Sequence, residues 1–220
     1  MDKNTTIIND ELEVKILEVD KKEIILKIKK LWWTKILDDI TEIETIDFEE
    51  DSCKLLSTEW IEQRYLPIIE AINKITKWKT TLSKKWAYLR IRKEWIKTEL
   101  ILKFGIKTRL EVKAEKEISF NFDYSEWENV RDYLKILGLW YSFFTEKQRI
   151  SYILNAWDVR IDIDTWPQMP TYIEIEWKKI ENIFKVVKIL WYSKDDVTSV
   201  NASKLFKKYW INQTNLRFEK

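Results

Sequence analysis

Histidine is absent from this 220-residue chain, and cysteine occurs once, at Cys53. Those two shortages exclude much chemistry. A zinc site needs several imidazole or thiolate ligands, and a Ser-His-Asp triad needs its imidazole. Any metal must be a hard cation on carboxylates. A lone cysteine leaves no intrachain disulfide, as in a reducing cytoplasm. No apolar run approaches the roughly 18 residues of a membrane span, and the opening stretch MDKNTTIINDELEVK lacks a signal peptide's apolar core. A cytoplasmic protein with no membrane partner is expected. Neither sign of charge dominates: 39 Lys plus Arg against 37 Asp plus Glu give a net charge of +2. That argues against a general polyanion binder, so no specific nucleic-acid partner is expected. The strangest shortage is glycine, with 2 residues against 13 tryptophans.

What is present is an ordinary globular balance, 45% hydrophobic and 35% charged. No repeat, low-complexity tract or linker interrupts it, so one domain over 1–220 is expected. Residues 10–19 alternate as a strand, and 20–31 carry a helical period. A short strand is expected at 42–48 and a helix at 58–78, with Pro67 as a kink or break. Strands follow at 87–94, 97–104 and 107–120, then a helix at 125–139. Three more strands are expected at 146–154, 158–164 and 171–176, and helices at 178–190 and 201–209.

The strands share a pattern. Alternate side chains point to opposite faces. Glu11, Glu13 and Lys15 share one face, against Leu12, Val14 and Ile16. Arg90 and Arg92 share a face, as do Lys147 and Arg149, then Arg160, Asp162 and Asp164, then Glu174 and Glu176. From 107 to 117, Lys107, Arg109, Glu111, Lys113, Glu115 and Glu117 all face one way. One reading is an antiparallel sheet with a solvated outer face. The other is a closed barrel whose apolar face is wrapped by the amphipathic helices and whose charged face points inward. The blocking of charge by sign, in ELE, DID and EIE against RIR and KQR, favours the second. Arg and Lys complement polyphosphate oxygens, and clustered carboxylates hold Mg²⁺ or Mn²⁺ that bridges to phosphate. Such a lining suits phosphoryl transfer, which needs mainly positioning and charge neutralisation.

At this point the chain resembles a known family. ELEVK at 11–15 is similar to the E-x-E-x-K motif of the CYTH superfamily, the triphosphate tunnel metalloenzymes. LRIRKE, TELILK, KQRISY and DIDTWPQMPTYIEIE follow in the family's order, covering roughly 10–210. The resemblance implies an α+β fold, an eight-stranded antiparallel β-barrel forming a tunnel, with flanking helices. It implies Glu11, Glu13, Glu174 and Glu176 as ligands for Mg²⁺ or Mn²⁺, and Lys15, Arg90, Arg92, Lys103 and Arg149 as a triphosphate clamp. Asp162 stands where the family carries an acidic residue near the metals, so Lys15 and Asp162 are the expected catalytic pair. The segment at about 52–85 departs from the family by its length and helical character, and is a candidate lid or homodimer contact.

The family's activities divide into triphosphate hydrolysis and class IV adenylyl cyclisation of ATP to cyclic AMP and pyrophosphate. ATP, tripolyphosphate and thiamine triphosphate are the implied small-molecule partners. Hydrolysis is the expected reaction, as the less demanding chemistry. A non-catalytic polyphosphate or nucleotide sensor is the alternative from another class; it would gain little from so many carboxylates.

The family comparison also bears on tryptophan. Trp86, Trp95, Trp157, Trp177, Trp191 and Trp210 stand where the resemblance calls for glycine. LWWTKIL at 31–37 then resembles LGGTKIL. Tryptophan and glycine together reach the share that glycine alone holds in an average protein, about 7%. Most of these tryptophans are therefore expected to be UGA codons decoded as glycine, with Trp166 a true tryptophan.

Overall fold

The computed structural model describes residues 6–31, 33–47, 70, 87–94, 97–109, 112–136, 143–154 and 159–219. The expected helix at 58–78 and the insertion at 52–85 lie outside the described residues, apart from Glu70. The strands are β1 (Thr6–Ile16), β2 (Thr34–Asp47), β3 (Ala87–Glu94), β4 (Lys97–Arg109), β5 (Val112–Asp123), β6 (Phe143–Leu154), β7 (Val159–Thr165) and β8 (Tyr172–Trp177), with two-residue strands β9 (Val197–Thr198) and β10 (Asn215–Leu216). The helices are α1 (Lys21–Lys30), α2 (Trp127–Ile136), α3 (Ile180–Ile189) and α4 (Ala202–Lys208). In the sheet β6, β2, β3, β4, β5, β1, β8 and β7 neighbour one another in that order, and β6 also pairs with β7. This last pairing closes an eight-stranded antiparallel barrel, as the resemblance implied.

Several strand boundaries differ from expectation: β1 spans Thr6–Ile16 rather than 10–19, β6 begins at Phe143 rather than 146, and two others differ more. Residues 107–120 are not one strand: Lys107–Arg109 end β4, and β5 begins at Val112. Alternation alone cannot mark a reversal when no glycine or proline punctuates it. The short strand expected at 42–48 is the second half of a 14-residue β2, whose first half alternates too weakly to declare itself.

Contacts divide the chain into two compact units. The first comprises 1–9, 42–106 and 116–144; the second comprises 10–41, 107–115 and 145–220. In the first, α2 packs on β3, and Leu89, Ile91, Trp127, Val130 and Leu134 are buried. Lys93 there lies over the rings of Tyr124 (4.6 Å) and Trp127 (5.6 Å).

In the second unit the apolar stripes of α1 (Ile24, Ile28) and α3 (Ile183, Val186, Val187) join one core with Val14, Ile16, Ile161, Ile163, Ile173 and Ile175. Those strand residues come from one face of β1, β7 and β8, because the register sets Val14 opposite Ile175 and Ile175 opposite Ile161. Local signals place α1. Asp20 caps α1, accepting from the Glu23 amide at 2.9 Å, and three lysines close its last turn. With this apolar face under helices, the opposite face of the same strands carries the charge.

Candidate active site

That opposite face in the second unit holds the candidate site. The register aligns it strand by strand. Glu13 faces Glu176 and Lys15 faces Glu174 across β1 and β8; Arg160 faces Glu176 and Asp162 faces Glu174 across β7 and β8. Arg149 faces Asp164, and Ser151 faces Asp162, across β6 and β7. The face is buried rather than solvated: Glu13, Lys15, Arg149, Asp162, Asp164 and Glu174 are all under a tenth exposed. A charged face of this kind is tolerated only if its members neutralise one another.

They do so in a continuous network. Lys15 Nζ lies 2.6 Å from Glu13 Oε1 and 2.8 Å from Glu174 Oε1, an ammonium held between two carboxylates. Glu13 Oε1 also accepts from Lys113 at 3.0 Å. Arg149 grips Asp164 with two parallel bonds of 2.7 Å, reaches Glu174 Oε2 at 2.7 Å, and lies 2.5 Å from Asp162 Oδ2. Lys147 donates to Asp164 at 2.8 Å. Arg160 donates to Asp162 at 2.8 Å and to Ser151 at 3.1 Å.

The electrostatic consequences follow. Burial would raise the Glu174 carboxyl, but Lys15, Arg149 and Lys147 outweigh it and hold it well below the usual range. Asp162 is lowered in the same way, against burial, by Arg149 and Arg160. Lys15 is raised despite burial, by the charges of Glu13 and Glu174. Lys147 differs: burial, reinforced by Arg149, lowers its ammonium below the ordinary lysine range despite Asp164.

Glu13, Glu174 and Glu176 each offer an oxygen within 4.8 Å of the others. Three carboxylates that close repel one another unless a cation sits among them, and the Lys15 ammonium shows that this place accepts positive charge. An all-carboxylate oxygen set suits Mg²⁺ or Mn²⁺ rather than zinc or copper.

Of the residues singled out in the sequence, Glu13, Lys15, Arg149, Asp162, Glu174 and Glu176 come together here. Glu11 lies on β1, but its side chain is outside the described residues. Arg90, Arg92 and Lys103 lie in the first unit, on β3 and β4, all half-buried. There Arg92 Nε donates to Glu99 at 2.8 Å, Lys97 reaches the other Glu99 oxygen at 2.7 Å, and Lys103 pairs with Glu117 at 2.8 Å. Although burial would raise Glu99, Arg92 and Lys97 hold its carboxyl down to about 2. The residues that sequence reasoning left out of the site are Lys113, Lys147, Arg160 and Asp164. A signal was available, since Lys147 and Asp164 each lie two residues from a chosen one and so on the same face.

No protein-family model matches the chain, and no curated relative matches it. Solved structures do. The PH1012 protein of Pyrococcus horikoshii is 18% identical, with a TM-score of 0.61, over 92% of this chain and 99% of that one. A candidate adenylate cyclase of Vibrio parahaemolyticus is 11% identical, with a TM-score of 0.61, over 90% and 97%. A candidate adenylyl cyclase from Hippeastrum, described as having a dominant triphosphatase activity, is 12% identical, with a TM-score of 0.57, over 90% and 95%. The chain thus has the fold of these proteins, an eight-stranded antiparallel barrel with flanking helices. No described helix is long and apolar enough to cross a membrane.

Proposed function

We propose that this protein is a metal-dependent enzyme acting on a small triphosphate, and that it hydrolyses it. The carrying observation is the group of Glu13, Glu174 and Glu176, with oxygens within 4.8 Å and Glu13 the most buried, on the face that also carries Lys15 and Arg149. Glu13, Glu174 and Glu176, with Glu11 as the resemblance implies, would hold Mg²⁺ or Mn²⁺. A divalent cation there supplies charge neutralisation at phosphate oxygens and polarisation of the phosphorus.

The chain's own residues do the rest. Arg149 binds phosphate oxygens through its fork of donors, and Lys15 supplies a compact positive charge beside them. Arg90, Arg92 and Lys103 take the clamp role that the resemblance gives them. Asp162 is fully buried beneath two guanidinium groups and held ionised, so it acts as a positioning residue for Arg149 and Arg160. In hydrolysis a water oxygen bonds to the terminal phosphorus, the bridging P–O bond breaks with its electron pair leaving on the diphosphate, and the water's proton passes to solvent or to a product oxygen. In cyclisation the ribose 3′-hydroxyl oxygen would bond to the α-phosphorus instead, the α–β bridging P–O bond would break with its electron pair leaving on pyrophosphate, and the hydroxyl proton would pass to solvent. Likeness to adenylyl cyclase candidates keeps that second reading in play.

Product analysis separates them. The chain is incubated with ATP, tripolyphosphate and thiamine triphosphate, each with Mg²⁺ or Mn²⁺. Release of phosphate and the corresponding diphosphate is expected. Cyclic AMP with pyrophosphate from ATP rejects hydrolysis, and binding without turnover of any of the three leaves a sensor. A 1–220 single domain, a homodimer and a cytoplasmic location remain part of the proposal; gel filtration with light scattering tests the dimer.

A further inference from the structure

Helices α3 and α4 end in the same way. After the cap residue Leu190, the Trp191 amide donates to Lys188 at 2.9 Å and the Tyr192 amide to Val187 at 3.0 Å. After Tyr209, the Trp210 amide donates to Lys207 at 3.2 Å and the Ile211 amide to Phe206 at 2.9 Å. Each is a Schellman motif, whose first residue beyond the cap must take the left-handed conformation. Trp191 and Trp210 do so, with φ of 67° and 57°. Glycine fills this position by default, because any Cβ crowds the backbone there and a bulky side chain is an outlier.

The indoles give nothing back for that conformation. Trp191 is 73% exposed and Trp210 95%, the two most exposed large apolar side chains among the described residues. Lys27 lies 5.0 Å from the Trp191 ring, but the Tyr192 ring stands 5.1 Å from the same ammonium and would remain.

Trp166 is the opposite case. It is buried, its indole N–H donates to Tyr172 at 2.8 Å, its ring meets Phe206 edge-on at 5.0 Å, and Lys147 lies over it at 5.3 Å. Trp33 and Trp177 fall between: neither has positive φ, yet the indole nitrogen of each is buried with no hydrogen-bond partner. Buried indole N–H groups usually find one.

We propose that positions 191 and 210 are glycine in the protein as its source makes it, through UGA codons read as glycine, and that Trp166 is genuine. Positive φ also occurs at Glu18 and Gln168; what selects 191 and 210 is that conformation together with a Schellman helix end and an exposed indole, whatever the enzyme's substrate. The gene is expected to carry UGA at 191 and 210 and UGG at 166. Protein purified from the source organism is digested with trypsin and sequenced by mass spectrometry over 161–178, 189–194 and 209–217. Glycine is expected at 191 and 210 in the last two peptides; tryptophan at either overturns the proposal, as does glycine at 166. In recombinant protein, Trp191→Gly and Trp210→Gly should each raise Tm by about 2–4 °C, by relieving the crowded conformation. Trp166→Gly should lower it by more than that. An unchanged or lower Tm in the double variant Trp191→Gly/Trp210→Gly overturns the geometric argument independently of the codons.

Discussion

The two units spend their charge differently. In the second, acids and bases are buried together: Asp162 and Asp164 are fully buried, and Lys15 and Arg149 nearly so. Lys15 and Arg149 each serve several carboxylates there, and Glu13, Asp162, Asp164 and Glu174 each meet two cations. In the first, the carboxylates Glu99 and Glu117 are buried, and the side chains of their partners Arg92 and Lys103 are 20% and 12% exposed. A mutually locked network suits a place where carboxylates must converge on a metal. A cation that pairs with a buried acid and still reaches solvent, as Arg92 does, suits a residue that must take up an anion. The same alternation of charged side chains therefore builds two different kinds of surface, and burial distinguishes them.

The contrast can be broken by substitution. The largest effect is expected for Glu13→Gln. It removes one carboxylate of the convergent group and should lower metal-dependent phosphate release by more than about 100-fold, since metal stabilisation amounts to several kcal/mol. Full activity would refute the role of β1.

Next comes a matched pair. Arg149→Met removes the cation shared by Asp162, Asp164 and Glu174, leaving these buried carboxylates with Arg160, Lys147 and Lys15, and should cost about 3–5 kcal/mol, on the order of 10 °C in Tm. Arg92→Met should cost only about 1 kcal/mol, because Glu99 keeps Lys97 and the site is partly solvated. Equal losses, measured by calorimetry, would erase the distinction between the units.

Acid sharpens it further. Glu99 is depressed from 4.5 to about 2, so its contribution to stability is present above pH 4.5 and lost as pH falls towards 2. Glu99→Gln should flatten that limb of the Tm–pH curve; an unaltered limb would show that the ion pair contributes nothing.

The smallest effect has the opposite sign. Glu44 on β2 is buried, and desolvation raises its carboxyl despite Arg131 at 3.8 Å. The folded state favours its neutral form, so its contribution is present below pH 4.5 and declines as pH rises through the raised value. Glu44→Gln should hold or slightly raise Tm at neutral pH. A clear fall there would mean that the carboxylate is better paired than its geometry indicates.

Much of this was legible in the sequence because alternation and charge sign are local. β3 falls on residues 87–94 as expected, and β7, β8 and α3 lie within two residues of expectation. Burial of the charged face was legible only indirectly, from helices that needed an apolar surface to cover. The reversal between β4 and β5 was not legible, because no glycine or proline marks it. Nor was the choice between Asp162 and Asp164: both lie on one face, and only the register shows that Arg149 is gripped by Asp164. The helix ends were legible for an unusual reason, since Trp191 and Trp210 stand where the backbone turns left-handed.

The central claim is a carboxylate-held metal acting on a triphosphate, and phosphorus NMR of tripolyphosphate tests it most directly. With Mg²⁺ or Mn²⁺ the folded protein should convert it to pyrophosphate and phosphate, and chelation of the metal or Glu13→Gln should stop the conversion. Undiminished conversion in the chelated sample, or no conversion by folded protein with either metal, would contradict the account.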